Sequence, residues 1–336
     1  MQHQHLIGMA LAAAFTLTTV QAAKAQTSIL NASYDVSREL YKEINPNFVA
    51  DWRAKTGETV TVDQSHGGSS KQATSVLHGL EADVVTMNQA TDIDILAEGD
   101  LVSKDWREKF PNNASPYTTI SVFLVRKGNP KNIKDWKDLI RDDVQVIVPN
   151  PKTSGNGRYT YLAAWGDTLL KGGTEADARA FVTKLFENVP VLDGGGRGAT
   201  TTFTQRDIGD VLVTFENEAI LIGKELGSDK FDVVYPSTSV EAAPPVAVVD
   251  TVVEKHGSRK LAEGYLTYLY TPAAQEVIAK QNFRPRDPGV GKKYASKFPE
   301  IETFDVEQLI GPWSEVKKTH FASGGVFDEL IAPKGQ

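Results

Sequence analysis

Four times along this chain an apolar, β-branched run stops at a short loop and opens straight into a helical pattern. The junctions read "SILNASYDVSREL" from Ser28, "TVTVDQSHGGSSKQATSVL" from Thr59, "VQVIVPNPKTSGNGRYTYL" from Val144 and "VPVLDGGGRGATTTF" from Val189. Such repetition selects a parallel sheet covered by helices, because parallel neighbours need a crossover and a helix is the compact one. Each loop then falls at the carboxyl end of a strand, where open α/β sheets bind ligands. A helix start carries unpaired backbone N–H groups and a partial positive charge. Glycine and serine at Gly67–Ser70, Ser154–Gly157 and Gly194–Gly196 leave those groups uncovered and open to an anion.

Between the junctions the apolar spacing is regular. Leu40, Ile44, Phe48 and Trp52 form a helix stripe closed by Gly57, with Pro46 expected to kink or split it. "DVVTM" from Asp83 reads as a buried strand and "TDIDILAEG" from Thr91 as a short helix. The rhythm breaks at "SPYTTISVFLVRKGNP" (115–130) and again at "FDVVYPSTSVEAAPPVAVVD" (231–250), where Pro236, Pro244 and Pro245 leave no room for a helix. These two stretches read as crossovers between α/β lobes. Lobe one takes residues 26–117 and 246–336, and lobe two residues 118–245. Two of the four loops fall in each lobe, so a cleft between the lobes would gather them all.

The first residues address the compartment. "LIGMALAAAFTLTTV" (Leu6–Val20) is an apolar run of fifteen residues, too short to span a bilayer. Ala23-Lys24-Ala25 satisfies the small-x-small rule, so residues 1–25 read as a signal peptide cut after Ala25, although "MQHQH" carries histidine where Lys or Arg is usual. A periplasmic mature chain is expected. It loses one base, Lys24, leaving 35 bases against 43 acids, a net −8. An acidic chain without basic blocks argues against nucleic acid or an anionic membrane surface as partner. The sequence holds no cysteine, which excludes disulfides and thiolate chemistry. His78, His256 and His320 stand alone, without metal-ligand spacing, and no metal or cofactor is expected.

The bare loops offer N–H and O–H donors and few fixed charges. Each helix start counts for roughly half a positive charge, so three or four balance a dianion. Charge-assisted hydrogen bonds contribute about 1.5–3 kcal/mol each, set against the cost of stripping water from the ion. An all-donor pocket suits an oxyanion with no proton of its own to donate. Phosphate keeps a proton near neutral pH and would find no acceptor for it. Sulfate-like ions fit this chemistry.

Taken together, "SYDVSRELY", "DQSHGGSSKQATSVL", "NPKTSGNGR…YLAAWG", "VLDGGGRG" and "FENEA" resemble the periplasmic sulfate-binding proteins of sulfate ABC importers. The resemblance runs from about Ser28 to Phe327 and includes "VFLVRKGNPK", "YLYTPAAQE" and "NFRPRD". It implies a type II periplasmic binding protein fold, two α/β lobes joined by two crossover strands with the ligand cleft between them. It also implies capture of sulfate, with thiosulfate or another tetrahedral oxyanion as the alternative, and delivery to a membrane permease by a monomer that is not an enzyme. By the same resemblance the ligand donors are the amides of Asp35, Ser69, Gly155, Asn156 and Gly196 and the hydroxyl of Ser154.

Two positions depart from the pattern: Asn156 stands where a glycine is usual, and Phe215 where a tryptophan would donate its indole N–H. The Asp35 carboxylate would repel a dianion, so its side chain is expected to turn away and cap the first helix. Arg158 and Arg197 follow the bare loops and are expected to hold loop carbonyls rather than touch the ligand. An enzyme alternative rests on Gly194–Ala199, which matches G-x-G-x-x-A with Glu216 and Glu218 about twenty residues on, although these acids lead into a helix instead of ending at a strand tip. A serine hydrolase built on Ser69 or Ser154 lacks the G-x-S-x-G elbow.

Overall fold

The computed structural model describes residues 27–227 and 229–332; the segment read as a signal peptide, residues 1–25, lies outside the described residues. Three parallel strands, β1 (Thr27–Tyr34), β2 (Val60–Gly67) and β3 (Val84–Thr86), start the first sheet in the order β3-β1-β2. Their register aligns the strand ends. Tyr34 lies opposite Gly67 and Ser33 opposite Thr86, so all three strands end level and their outgoing loops stand side by side.

The chain then crosses into a second sheet. Its strands are β4 (Tyr117–Arg126), β5 (Val146–Pro149), β6 (Leu192–Asp193), β7 (Val211–Phe215), β8 (Phe231–Val234) and β9 (Thr238–Ala242). β4 runs antiparallel to β7, β8 and β9, while β5 is parallel to β6 and β7. Pro149 lies opposite Asp193, which again sets two outgoing loops side by side. β10 (Val246–Val248) returns to the first sheet and pairs antiparallel with β3.

The C-terminal third of lobe one does not stay there. β11 (Arg284–Pro285) pairs with the start of β4, and β12 (Glu302–Phe304) adds parallel to β9 in the second sheet. The helix Val326–Ile331 then packs on the helix Glu175–Glu187, with the Phe327 ring 5.1 Å from that of Phe186. The segment 302–332 thus covers lobe two, against the division drawn at 246–336. The physical reason is apolar area. Phe304, Trp313, Phe321 and Phe327 are all buried, and the helix Gly155–Leu170 receives them. A Cβ on Gly166 would stand 2.1 Å from the Phe304 ring, so this glycine is the flat spot on which the ring lies.

Pro46 does not split its helix into two elements; a single helix runs from Arg38 to Thr56. Proline frees the carbonyl four residues back, at Lys42, and both residues are exposed, so the helix carries this proline on its solvent side. Tyr41, Ile44, Phe48 and Trp52 stay buried on either side of it.

His256 fastens the helix Asp250–His256 to the edge of this lobe. Its Nδ1 lies 3.0 Å from Asp83 Oδ1 and its Nε2 3.1 Å from Glu81 Oε2. The Asp83 contact first, and Glu81 next, raise the imidazole pKa above the ordinary value of 6.5. Stability from this group is therefore full below that value and is lost as pH rises through the raised one. His256→Gln should abolish this component, so thermal melts of wild type and variant at pH 6 and pH 8 should differ more at pH 6. With 32% of the side chain exposed the difference is expected to be small.

Candidate functional site

The level strand ends bring the four loops to one place between the lobes. Tyr34, Asp35 and Val36 line a cavity with Gly68, Ser69 and Asn88 from the first lobe; Thr153–Asn156, Gly195 and Gly196 face them from the second. The cavity is small, about 20 Å³, little more than one water needs. The space between the lobes suits a compact solute. All six expected donors, Asp35, Ser69, Ser154, Gly155, Asn156 and Gly196, line this cavity, whereas Arg158, Arg197 and Phe215 do not. No lysine or arginine is among the lining residues.

Helix geometry explains what the cavity presents. The helices Ser69–Leu77, Gly155–Leu170 and Gly196–Thr204 all begin on it. Intrahelical bonding starts with Gln72 N to Gly68 O at 2.9 Å, Arg158 N to Ser154 O at 3.0 Å and Ala199 N to Gly195 O at 3.1 Å. The amides of each first turn precede these bonds and have no intrahelical acceptor. Ser154 Oγ accepts from Gly157 N at 3.3 Å, which leaves its own O–H free to donate. The Ser69 hydroxyl is already engaged. It donates to Asp92 Oδ2 at 2.5 Å and accepts from Asn88 N at 2.8 Å, so Ser69 has only its amide to offer.

Arg158 does hold loop carbonyls, donating to Pro151 O at 2.9 Å and Lys152 O at 3.3 Å. It also reaches across the cleft to Ser70 Oγ at 3.1 Å, and Ser70 donates to Asp92 Oδ1 at 2.7 Å. No sequence signal hints at that interlobe bridge, because its members are far apart along the chain. Arg197 differs from expectation. It is exposed and makes no carbonyl contact among the described residues; its charge lies near Asp35 and Glu218.

Asp35 also departs from its expected role. The helix Arg38–Thr56 begins without a side-chain cap, because the chain first tightens into a 3₁₀ turn over Asp35–Ser37. Ser37 Oγ donates to Tyr34 O at 2.6 Å and Arg38 Nη2 to Asp35 O at 2.8 Å, which fixes that turn. Burial raises the pKa of the Asp35 carboxyl, opposed by Arg38 and then Arg197.

The two departures from the family pattern lie next to each other. Phe215 is buried and meets Tyr159 edge-on at 5.8 Å. The Asn156 side chain is buried too, and its Nδ2 donates to Thr214 Oγ1 at 3.1 Å. A Cβ on Gly196 would lie 3.5 Å from that nitrogen. The Asn156 side chain therefore has a structural contact of its own. It ties the first turn of one helix to the end of β7 and stands beside the first turn of another. The acids of the dinucleotide alternative are otherwise employed. Glu216 is fully buried against Arg284 at 2.7 and 2.9 Å, and Glu218 accepts from Thr200 at 3.3 Å.

Residues 30–284 match the model of a family described as bacterial extracellular solute-binding protein. A thiosulfate-binding protein of Pseudomonas aeruginosa is 60% identical over 313 residues, covering 93% of this chain and 94% of its own length. A sulfate-binding protein of Escherichia coli K12 is 52% identical over 324 residues, 96% and 98% of the two chains. Among solved structures, the sulfate-binding protein SubI from Mycobacterium tuberculosis H37Rv superposes with a TM-score of 0.80 at 33% identity, over 88% of this chain and all of that one. A periplasmic thiamin binding protein, 16% identical at a TM-score of 0.65, shares the fold alone. The two sheets, the cleft and these likenesses make the architecture the two-lobed type II binding fold, and the chain belongs to the bacterial extracellular solute-binding proteins.

Proposed function

We propose that the chain is a periplasmic receptor that captures sulfate, with thiosulfate as a second ligand, and hands it to the membrane permease of an ABC importer. The observation that carries this reading is the composition of the cavity wall: first-turn amides of three helices and a free hydroxyl, with no basic side chain. Three helix starts supply roughly one and a half positive charges, enough to offset most of a dianion. The donors are the amides of Asp35, Ser69, Gly155, Asn156 and Gly196 and the hydroxyl of Ser154. Arg158, out of the lining, holds the loop that carries three of them. The relatives named for thiosulfate and for sulfate support the ligand class. Export with cleavage after Ala25, and action as a monomer, complete the proposal.

Calorimetric titration of anion-free protein tests it, with sulfate, thiosulfate, phosphate and molybdate compared at pH 8. One sulfate or thiosulfate per chain should bind, and phosphate should give no signal because its proton meets no main-chain acceptor. Equal binding of phosphate, or silence with both sulfur anions, would remove the reading. Phe215→Trp in the same assay tests whether an added indole N–H reaches the ligand: it should leave affinity within about threefold, since Phe215 does not line the cavity.

A further inference from the structure

Asn88 lines the cavity, and the ligand chemistry has not used it. It is 3% exposed, follows β3, and is carried by the turn into the helix Ala90–Glu98. Its amide N–H is spent on Ser69 Oγ at 2.8 Å. Its Oδ1 is buried without any hydrogen-bond partner. That oxygen lies against lobe two, since a Cβ built on Gly155 would stand 2.2 Å from it. An unpaired carbonyl in a wall of donors is a costly group, and next to a dianion it would also be repulsive. The terminal torsion of asparagine is broad and two-fold, so the side-chain amide can exchange Oδ1 for Nδ2 without changing its volume.

We propose that Asn88 is a specificity-determining ligand contact: its side-chain amide turns Nδ2 toward the bound anion and adds a donor from lobe one to the main-chain set. This rests on the oxyanion reading above and extends it. The inward N–H rewards an oxyanion without a proton, and the O–H of a protonated oxyanion would meet a donor there as it does along the rest of the wall. The contact also belongs to the closed form, because the glycine packed on this amide comes from the other lobe.

The test compares wild type with Asn88→Ala and Asn88→Asp, each titrated with sulfate and thiosulfate between pH 5 and pH 8. Loss of one charge-assisted hydrogen bond weakens binding about ten- to a hundredfold, the change expected for Asn88→Ala. Asn88→Asp keeps the shape but presents a carboxylate. It should lose more than Asn88→Ala at pH 8 and regain affinity toward pH 5, where a protonated carboxyl can donate. The remaining charged groups around the cavity, Asp35, Arg38, His66, Asp92, Arg158, Arg197 and Glu218, are common to all three proteins, so the difference from wild type reports on position 88. Affinities within threefold of wild type in both variants at all pH values would overturn the assignment. If wild type itself takes up neither anion, the oxyanion reading fails first, and this result is distinct from unchanged variants beside a binding wild type.

Discussion

Gly157→Ala should weaken sulfate binding by at least a hundredfold and lower the melting temperature. A Cβ at this position would stand 2.2 Å from Pro149 O, 2.8 Å from Pro151 N and 2.9 Å from the Asn150 carbonyl carbon. All three are backbone atoms, so no side chain can swing away. Relief requires the end of β5 to part from the first turn of the helix Gly155–Leu170. The same movement displaces Gly155 and Asn156, which line the cavity. Overpacking of this kind costs about 1–3 kcal/mol or more, although alanine is ordinarily the better helix former by about 1 kcal/mol. Gly223→Ala is the matched control. It lies in the helix Glu216–Leu226 with nothing within 4 Å of the added methyl, and it should stabilise slightly while leaving binding unchanged. A destabilised Gly157→Ala that still binds like wild type would separate loop geometry from function and contradict the account.

Acid should unfold lobe two through His320. This imidazole is 5% exposed among Tyr161, Trp165 and Phe321, with Nδ1 2.9 Å from the Tyr161 hydroxyl. Burial lowers its pKa from the ordinary 6.5 to about 4. The neutral ring is what the folded state holds. Its contribution is therefore complete above pH 6.5 and is lost as pH falls toward 4, amounting to about 3 kcal/mol at the end of that window. The sign is opposite to that of His256, which loses its contribution as pH rises. His320→Gln keeps an acceptor for the tyrosine and cannot titrate. Urea unfolding between pH 7 and pH 4 should show a steep decline in wild type and a shallower one in the variant. Parallel declines would place the acid sensitivity elsewhere.

The parts of this molecule legible in its sequence are those encoded locally. Strand, bare loop and helix follow one another within about fifteen residues at Thr59, Val144 and Val189, so alternation and the glycine-rich turns pointed to an α/β fold and to loops that meet at one cavity. Level strand ends, such as Tyr34 opposite Gly67, are a matter of register, which pairing sets rather than composition. Asn88 escaped notice for a related reason. It sits at a fifth strand-to-helix junction, but "TMNQATD" has no glycine to mark it, and its importance comes from Gly155 in the other lobe. The bridge from Arg158 to Ser70 and Asp92 is likewise visible only once the lobes meet. At the C terminus, the return of residues 302–331 to lobe two depends on the flat surface at Gly166, which no periodicity announces. Asp35 shows the limit of a propensity argument. An acid before a helix is a good cap on average, yet here a 3₁₀ turn precedes the helix and removes the role.

Crystals grown with sulfate would settle how the guest is held. Main-chain nitrogens at the four loops, joined by the Ser154 hydroxyl, should surround the ion, with every guanidinium and ammonium group out of hydrogen-bonding reach. An arginine or lysine nitrogen seated directly on the ion, or an ion bound outside this crevice, would contradict the view that helix starts do the neutralising.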